Sequence, residues 1–85
     1  MSPVGAFVEA VARALADEPD LVRVVERDHR GTNLVELFMA PGDLGHVIGR
    51  QGRTAAAIRT LALVAAERAG QRVQVEFRDG PGTHA

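Results

Sequence analysis

Two strand-like segments, joined by a long stretch of helical pattern, leave few possible folds for this chain. Residues 33–40 (NLVELFMA) are apolar on both faces apart from Asn33 and Glu36, which is typical of a central strand. Residues 72–78 (RVQVEFR) alternate between polar and apolar side chains, which predicts a strand with one buried face. A helical connection between neighbouring strands makes them parallel, with a right-handed crossover.

The N-terminal part of the chain predicts one helix and the first strand of a hairpin. Ser2 is the expected N-cap with Pro3 at the first helical position, and Pro19 ends the helix. The apolar side chains of this helix recur at helical spacing, at Val4, Phe7, Val8, Val11 and Leu15. Residues 21–28 (LVRVVERD) read as a strand, which the turn at 29–32 (HRGT) joins to the central strand in an antiparallel hairpin.

The crossover contains two predicted helices. Asp43 is the expected N-cap of a short helix over residues 44–48, and Gly49 stands at its expected C-cap. A long helix follows over about residues 54–69 and ends at Gly70. Its expected buried stripe is formed by Ile58, Leu61, Ala65 and Ala69, widened by Ala62 and Ala66.

The resulting order of elements is α-β-β-α-α-β. It predicts an α+β domain with a three-stranded mixed sheet and the three helices on one face. The chain has 85 residues, which is enough for one domain but not for two. We expect a single domain over residues 1–78 and a disordered Gly/Pro-rich tail over residues 79–85.

Composition and charge exclude several classes of function. A net charge of −1 argues against a protein that coats polyanions, so any anion binding requires a local arrangement of residues. The chain has no cysteine, which excludes disulfides, thiolate catalysis and Cys-based zinc sites. The N-terminus lacks a secretory signal, and no apolar run approaches the ~20 residues that a membrane-spanning helix needs. We therefore expect a cytoplasmic protein with no membrane association.

Residues 49–52 (GRQG) form a glycine bracket between the two crossover helices. A Gly-x-x-Gly spacing is weak evidence by itself, since residues 42–45 (GDLG) match it as well. The glycine bracket differs in its surroundings, because Arg50 lies inside it, Arg53 follows it, and residues 44–66 contain no acidic residue.

The surroundings of the glycine bracket predict a phosphate-binding corner. Two glycines let a ligand backbone approach closely, and the N-terminus of the long helix presents free N–H groups and a positive dipole end. Arg50, Arg53 and Arg59 add positive charge. From the residues alone an ordinary helix–helix turn stays open as the alternative, with Arg53 and Arg59 as solvated helix residues.

The segment 47–61 (VIGRQGRTAAAIRTL), set between two parallel strands, resembles a KH domain. This is the RNA- and single-stranded-DNA-binding fold with a characteristic GXXG loop. The α-β-β-α-α-β order is similar to the type II, bacterial arrangement. More narrowly, the segment and the chain length resemble the family of small bacterial single-KH-domain proteins of the KhpA type. The resemblance covers roughly residues 4–78.

The resemblance implies a ligand and a set of site residues. The glycine bracket would clamp the sugar-phosphate backbone of about four nucleotides of single-stranded RNA, or of single-stranded DNA. Bases would lie on aliphatic residues such as Val47, and the short variable loop, which contains Arg30, would form the far rim. The expected RNA-binding residues are Gly49, Arg50, Gln51, Gly52, Arg53, Val47, Arg59 and Arg30.

The resemblance also implies a role in RNA regulation, as a post-transcriptional regulator or RNA chaperone, and a larger KH-containing partner protein. Pairing raises the avidity of a weak single module, so we expect a weak homodimer or a heterodimer. Leu63, Leu34 and Phe38 are candidates for its interface. The alternative is a protein–protein interaction or scaffold module that keeps the fold with RNA binding secondary. The acidic pI, the lack of Trp and Tyr, and Ala56, where many relatives of this type carry a lysine, support that alternative.

Catalysis and metal binding find little support in the sequence. Ser2 is the only serine, and the chain has no cysteine, tyrosine or lysine. No two histidines have metal-ligand spacing, and no His/carboxylate cluster is recognisable. We expect neither enzymatic activity nor a metal or other cofactor.

Overall fold

The computed structural model describes residues 1–49 and 52–79, and the elements of this part follow the predicted order. They are helix α1 (Pro3–Leu15), a 3₁₀ turn (Pro19–Leu21), β1 (Arg23–His29), β2 (Thr32–Met39), α2 (Pro41–Ile48), α3 (Arg53–Arg68) and β3 (Arg72–Asp79). The α-β-β-α-α-β order is confirmed. The 3₁₀ turn was not predicted, and it includes Leu21, the first residue of the first predicted strand. The tail was expected to begin at Asp79, but this residue ends β3; residues 80–85 lie outside the described residues.

The three strands form one mixed sheet with β2 in the centre. β1 pairs with β2 in antiparallel orientation, with Val24 opposite Leu37. β3 pairs with β2 in parallel orientation, with Val75 opposite Val35. Both predicted orientations are therefore confirmed. The hairpin turn is shorter than expected, because strand pairing continues up to His29 and Thr32 on either side of two turn residues.

The core lies between one face of the sheet and the three helices. Side chains at alternate positions of the strands point to this face, while the helices contribute residues one turn apart. The sheet residues buried in this core are Val35, Leu37, Met39, Val73 and Val75; those of the helices are Val4, Val8, Ala12, Val47, Ala55, Ile58, Ala62 and Ala66. The predicted placement of the helices on one face of the sheet is confirmed.

The buried stripe of α3 differs from the predicted one. Ile58, Ala62 and Ala66 are buried as expected, but Leu61 is 51% exposed and Ala69 is also exposed. Both leucine and alanine are apolar, so the apolar periodicity of this alanine-rich helix did not determine which of its faces turns toward the sheet. The helix turns small alanines toward the sheet, which allows a close approach, and leaves the larger leucine outside.

Asp43 is not the N-cap of α2, contrary to the prediction. The helix begins at Pro41, three residues earlier than predicted, and its N-cap is Ala40. Asp43 is buried, and its carboxylate accepts the backbone N–H groups of Asp17 and Glu18, each at 2.9 Å. These hydrogen bonds, the one from Asp17 foremost, hold the pKa of Asp43 below its ordinary value. Asp43 thus ties α2 to the segment that follows α1.

The predicted N-cap of α1 is confirmed, and it belongs to a larger hydrogen-bond network. The Ser2 hydroxyl oxygen accepts the N–H of Gly5 at 3.0 Å. The Ser2 backbone N–H donates to the Glu26 carboxylate at 2.9 Å, the Ser2 hydroxyl donates to the same carboxylate, and Asn33 Nδ2 donates to it at 2.7 Å. Burial favours a higher pKa for Glu26, but these hydrogen bonds outweigh it and lower the pKa. The network fixes the start of α1 on the sheet.

Candidate nucleic-acid interface

The corner between α2 and α3 favours glycine at both ends of the glycine bracket. Gly49 is the C-cap of α2, and its N–H donates to the Gly45 carbonyl at 2.6 Å. A Cβ atom at position 49 would lie 2.7 Å from the carbonyl oxygen of His46, so this position has no room for a side chain. Gly52 has a φ of 63°, in the left-handed region that favours glycine. Arg50 and Gln51 lie outside the described residues.

Helix α3 begins directly after Gly52 and presents its N-terminus to the corner. The N-cap residue of this helix is Gly52. Because glycine has no side chain, it cannot accept hydrogen bonds from the first free N–H groups of the helix. The positive end of the helix dipole lies at the same place. Arg53, the exposed first residue of the helix, adds a mobile guanidinium group. This arrangement suits an anionic oxygen such as that of a phosphate group.

A hollow of about 400 Å³ opens beside this corner. Its lining comes from the end of α2 and the start of α3, and consists of Gly45, His46, Val47, Gly49, Arg53 and Thr54. The structure therefore brings the predicted residues Gly49 and Arg53 together. It adds the polar side chains of His46 and Thr54, which were not among the expected RNA-binding residues.

Val47 offers little surface to a base, although it borders the hollow. Its side chain belongs to the core and is only 4% exposed. The next residue, Ile48, is 45% exposed at the last position of α2. Ile48 therefore presents more apolar surface beside the corner than Val47 does. The sequence did not distinguish the two, because the rotation of a short helix is decided by the elements that it packs on.

Arg59 lies farther along α3, where the helix borders the edge strand β3. Its guanidinium carbon stands 4.8 Å from the centre of the Phe77 ring, and its Nε–H donates to the Val75 carbonyl at 3.4 Å. A second hollow, of about 250 Å³, lies here and is lined by Arg59, Leu63, Val73, Gln74, Val75 and Glu76. The strand beside this side of α3 is thus the edge strand β3.

Arg30 lies at the other end of α3. It occupies the turn between β1 and β2 with a φ of 53°. A hollow next to this turn is lined by Asp28, Gly31 and Asn33 on one side and by residues 70–72, which follow α3, on the other. The 16 residues of α3 span about 24 Å at 1.5 Å per residue. Arg30 is therefore separated from Arg53 by about the length of the helix.

The structure also forms a His/carboxylate cluster that the sequence did not reveal. Ligand atoms of Asp17, Asp43 and His46 all lie within 4.8 Å of one another. The residues come from the segment that follows α1 and from α2, so no local spacing could show the cluster. Both oxygens of Asp43 already accept backbone N–H groups, which gives this carboxylate a structural role.

A helix, a GXXG corner and a second helix connect two parallel strands in an α-β-β-α-α-β chain. This architecture defines a KH domain of the type II arrangement. Within residues 1–49 and 52–79, no helix has the length and apolar character needed to cross a membrane.

Comparison with known proteins agrees with this class. Residues 5–77 match the family described as "KhpA/KhpB, KH domain". Proteins named "RNA-binding protein KhpA" are similar to the chain over nearly their whole length. The one from Caldanaerobacter subterraneus subsp. tengcongensis is 48% identical over 74 residues, 87% of this chain and 99% of the relative. The one from Halalkalibacterium halodurans is 46% identical over 73 residues, 86% of this chain and 96% of the relative. The chain belongs to the KhpA/KhpB family of KH domains.

The fold also occurs within a larger protein of known structure. The crystal structure of Era in complex with MgGDPNP and nucleotides 1506–1542 of 16S ribosomal RNA matches with a TM-score of 0.64 at 19% identity. The match covers 93% of this chain and 31% of the Era chain, so the chain spans about a third of that protein. At this level of identity the similarity concerns the fold alone.

Proposed function

We propose that this chain is an RNA-binding module that holds the sugar-phosphate backbone of short single-stranded RNA at the glycine bracket. The observation that carries the proposal is the corner itself. Position 49 has no room for a side chain, and Gly52 has no side chain to cap the helix that follows. The free N-terminus of α3 and its exposed first residue, Arg53, lie beside one hollow. The name of the relatives, RNA-binding protein KhpA, supports RNA as the ligand.

In this proposal the backbone of the RNA supplies most of the binding energy. A phosphate would receive N–H groups from the first turn of α3 and a charge-assisted hydrogen bond from Arg53. A neighbouring base would contact Ile48, and the strand would continue along α3 toward Arg59. Contacts of this kind do not read base identity, so we expect weak sequence preference. The module binds rather than catalyses, and the cytoplasm is its proposed location because its proposed ligand is RNA.

The test is a fluorescence-anisotropy titration with a pool of short single-stranded RNAs at low and moderate salt. Arg53→Gln should weaken binding and make it less dependent on salt, because one phosphate contact is lost. Arg13→Gln is the matched control, since Arg13 is an exposed helical arginine on α1 and the change in net charge is the same. An Arg50→Asp, Gln51→Asp double variant should abolish binding with the fold intact. Equal binding by R53Q and R13Q would remove Arg53 from the site, and full binding by the double variant would refute the clamp.

We further propose that the module works as a dimer or with a larger KH-containing partner, in post-transcriptional regulation or as an RNA chaperone. An exposed apolar strip on α3 supports this part of the proposal. Leu61 and Val64, three residues apart, are 51% and 45% exposed on the side of α3 away from the core. Phe38, a candidate from the sequence, is buried instead, so it offers no surface for an interface. The same strip supports the alternative of a protein–protein interaction module with RNA binding secondary.

Sedimentation equilibrium separates these possibilities. Leu61→Arg should lower the association constant, whereas Leu21→Arg, at a position that is equally exposed in the 3₁₀ turn, should not. If L61R and L21R associate like the wild type, the strip on α3 is not the dimer interface. If the wild type dimerises but binds no RNA even at low salt, the interaction module is the better description of the chain.

A further inference from the structure

The face of the sheet that points away from the helices carries a concentration of arginine. We call it the open sheet face; its charged residues are Arg23, Arg27, Glu36, Arg72, Glu76 and Arg78, which the strand register places on one side. Four arginines against two glutamates make this face positive in a chain whose net charge is −1. The face lies on the opposite side of the sheet from α2 and α3.

The centre of the open sheet face is a buried carboxylate that holds two arginines. Arg27 donates to Glu36 Oε1 from Nε at 2.9 Å and from Nη2 at 2.7 Å, and Arg78 Nε donates to Glu36 Oε2 at 2.7 Å. The Glu36 side chain is 2% exposed, whereas those of Arg27 and Arg78 are 62% and 43% exposed. Glu36 therefore orients two guanidinium groups at the surface and leaves their other Nη groups for a further acceptor.

A buried glutamate in this position is not explained by stability alone. Replacing a buried ion pair with packed apolar residues is often neutral or stabilising, so such a carboxylate is weak evidence for a stabilising role. Its distinct effect is to fix the direction of two planar donors whose outer atoms meet solvent. Guanidinium groups held in this way match the paired oxygens of a phosphodiester group. The three charges still sum to +1, so an anion is attracted to the arrangement.

We propose that the open sheet face is a second RNA-binding site, in which Arg27 and Arg78 contact backbone phosphates of a longer RNA whose other segment lies at the glycine bracket. The choice of RNA as the ligand rests on the proposed function. A clamp of about four nucleotides leaves most of a longer RNA free to reach the other side of this small domain. Arg23 and Arg72, at opposite ends of the face, extend the positive surface along the strands.

The test compares two RNA lengths, about five nucleotides for the clamp alone and about thirty for both sites. The sheet variant is R27Q/E36Q/R78Q, which removes the three charges together and leaves no buried charge unpaired. It lowers the net charge by one, as does the control R13Q. Far-UV circular dichroism and a urea titration confirm the fold of each variant before the anisotropy measurements.

The sheet variant should bind the short RNA like R13Q and the long RNA roughly ten-fold more weakly at low salt. Loss of two phosphate contacts should reduce the slope of log K against log salt by about 1.4, at about 0.7 per contact for single strands. Long-RNA affinity and slope equal to those of R13Q would overturn the proposal, as would an equal loss for both RNA lengths. Binding of polyglutamate, but not of long RNA, through this face would assign it to an acidic protein partner and also overturn it.

The two RNA proposals fail separately in this experiment. If R53Q loses the short RNA while the sheet variant loses only the long one, both sites are supported. If R53Q has no effect but the sheet variant weakens long-RNA binding, the open sheet face stands and the clamp falls. If the wild type binds neither RNA, the open sheet face is refuted together with the proposed function.

Discussion

Replacing Arg27 and Arg78 by glutamine should destabilise the domain far more than replacing Glu36 by glutamine, although both changes break the same ion pairs. The difference follows from exposure. Without the arginines, the Glu36 carboxylate remains buried with no cation beside it, a situation that costs about 3–5 kcal/mol. Without the carboxylate, the two arginines are already half-exposed and regain water. The loss is then that of charge-assisted hydrogen bonds, about 1–2 kcal/mol.

These magnitudes are large for a domain of this size. At 0.05–0.15 kcal/mol per residue, a chain of 85 residues has a free energy of unfolding of about 4–13 kcal/mol. R27Q/R78Q should therefore remove about a quarter of the stability or more. Adding E36Q to the double variant should restore about 2 kcal/mol, because the buried charge is gone. Urea unfolding followed by far-UV circular dichroism is the suitable assay, since the chain has no tryptophan or tyrosine for fluorescence.

The pH dependence gives the same reasoning a second check. In the wild type, the hydrogen bonds from Arg27 foremost, and then from Arg78, outweigh burial and hold the pKa of Glu36 below its ordinary value of 4.5. Without the arginines burial is unopposed, so the pKa of Glu36 rises. The penalty is then present above this raised pKa and is relieved as the pH falls through it. The deficit of R27Q/R78Q should shrink as the pH is lowered from about 7 toward 4. The reasoning would be refuted if E36Q lost more free energy of unfolding than R27Q/R78Q. It would also be refuted if adding E36Q to R27Q/R78Q restored no stability.

Three further outcomes are expected in the same unfolding assay. Gly52→Ala should reduce the free energy of unfolding by about 1–2 kcal/mol because of the left-handed backbone, with Gly52→Asn closer to wild type; equal stability of the alanine variant would contradict the φ of 63°. Ile58→Ala should remove about 2–5 kcal/mol by opening a cavity between α3 and the sheet, and a loss below about 1 kcal/mol would mean that the core is not closed there. Wild-type stability should decline in acid, because the pKa values of Glu36 and Asp43 lie below their ordinary 4.5 and 3.8. The stability that these two carboxylates contribute is lost as the pH falls through the lowered values. An Asp43→Asn variant whose stability depends on acid pH like that of the wild type would exclude Asp43 from this effect.

Local signals were sufficient for the elements and for the corner of the candidate site. The N-cap at Ser2, the end of α3 at Gly70 and the C-cap at Gly49 depend on residues within one helical turn, and all three are found as predicted. The orientation of β3 followed from the length of the crossover. The Gly-x-x-Gly spacing alone did not distinguish residues 42–45, which lie inside α2, from the glycine bracket. The arginines around the glycine bracket distinguished the two matches.

Local signals failed where a side chain's role depends on distant residues. Asp43 has the sequence character of an N-cap, but it binds backbone groups 25 and 26 residues earlier in the chain. Leu61 and Ala62 are equally compatible with a buried stripe until the sheet selects the smaller one. Val47 is buried and Ile48 is half-exposed for the same reason, because the packing of α2 decides which one is exposed.

The sequence by itself determined the order of helices and strands, the topology of the sheet and the presence of a glycine corner beside arginines, because periodicity, capping and crossover length are properties of neighbouring residues. Only the tertiary structure decided which helix faces are buried, that Gly49 has no space for a side chain, and that Glu36 holds Arg27 and Arg78 on the open sheet face. These features join residues from separate elements, whose distances are set when the sheet and helices pack together.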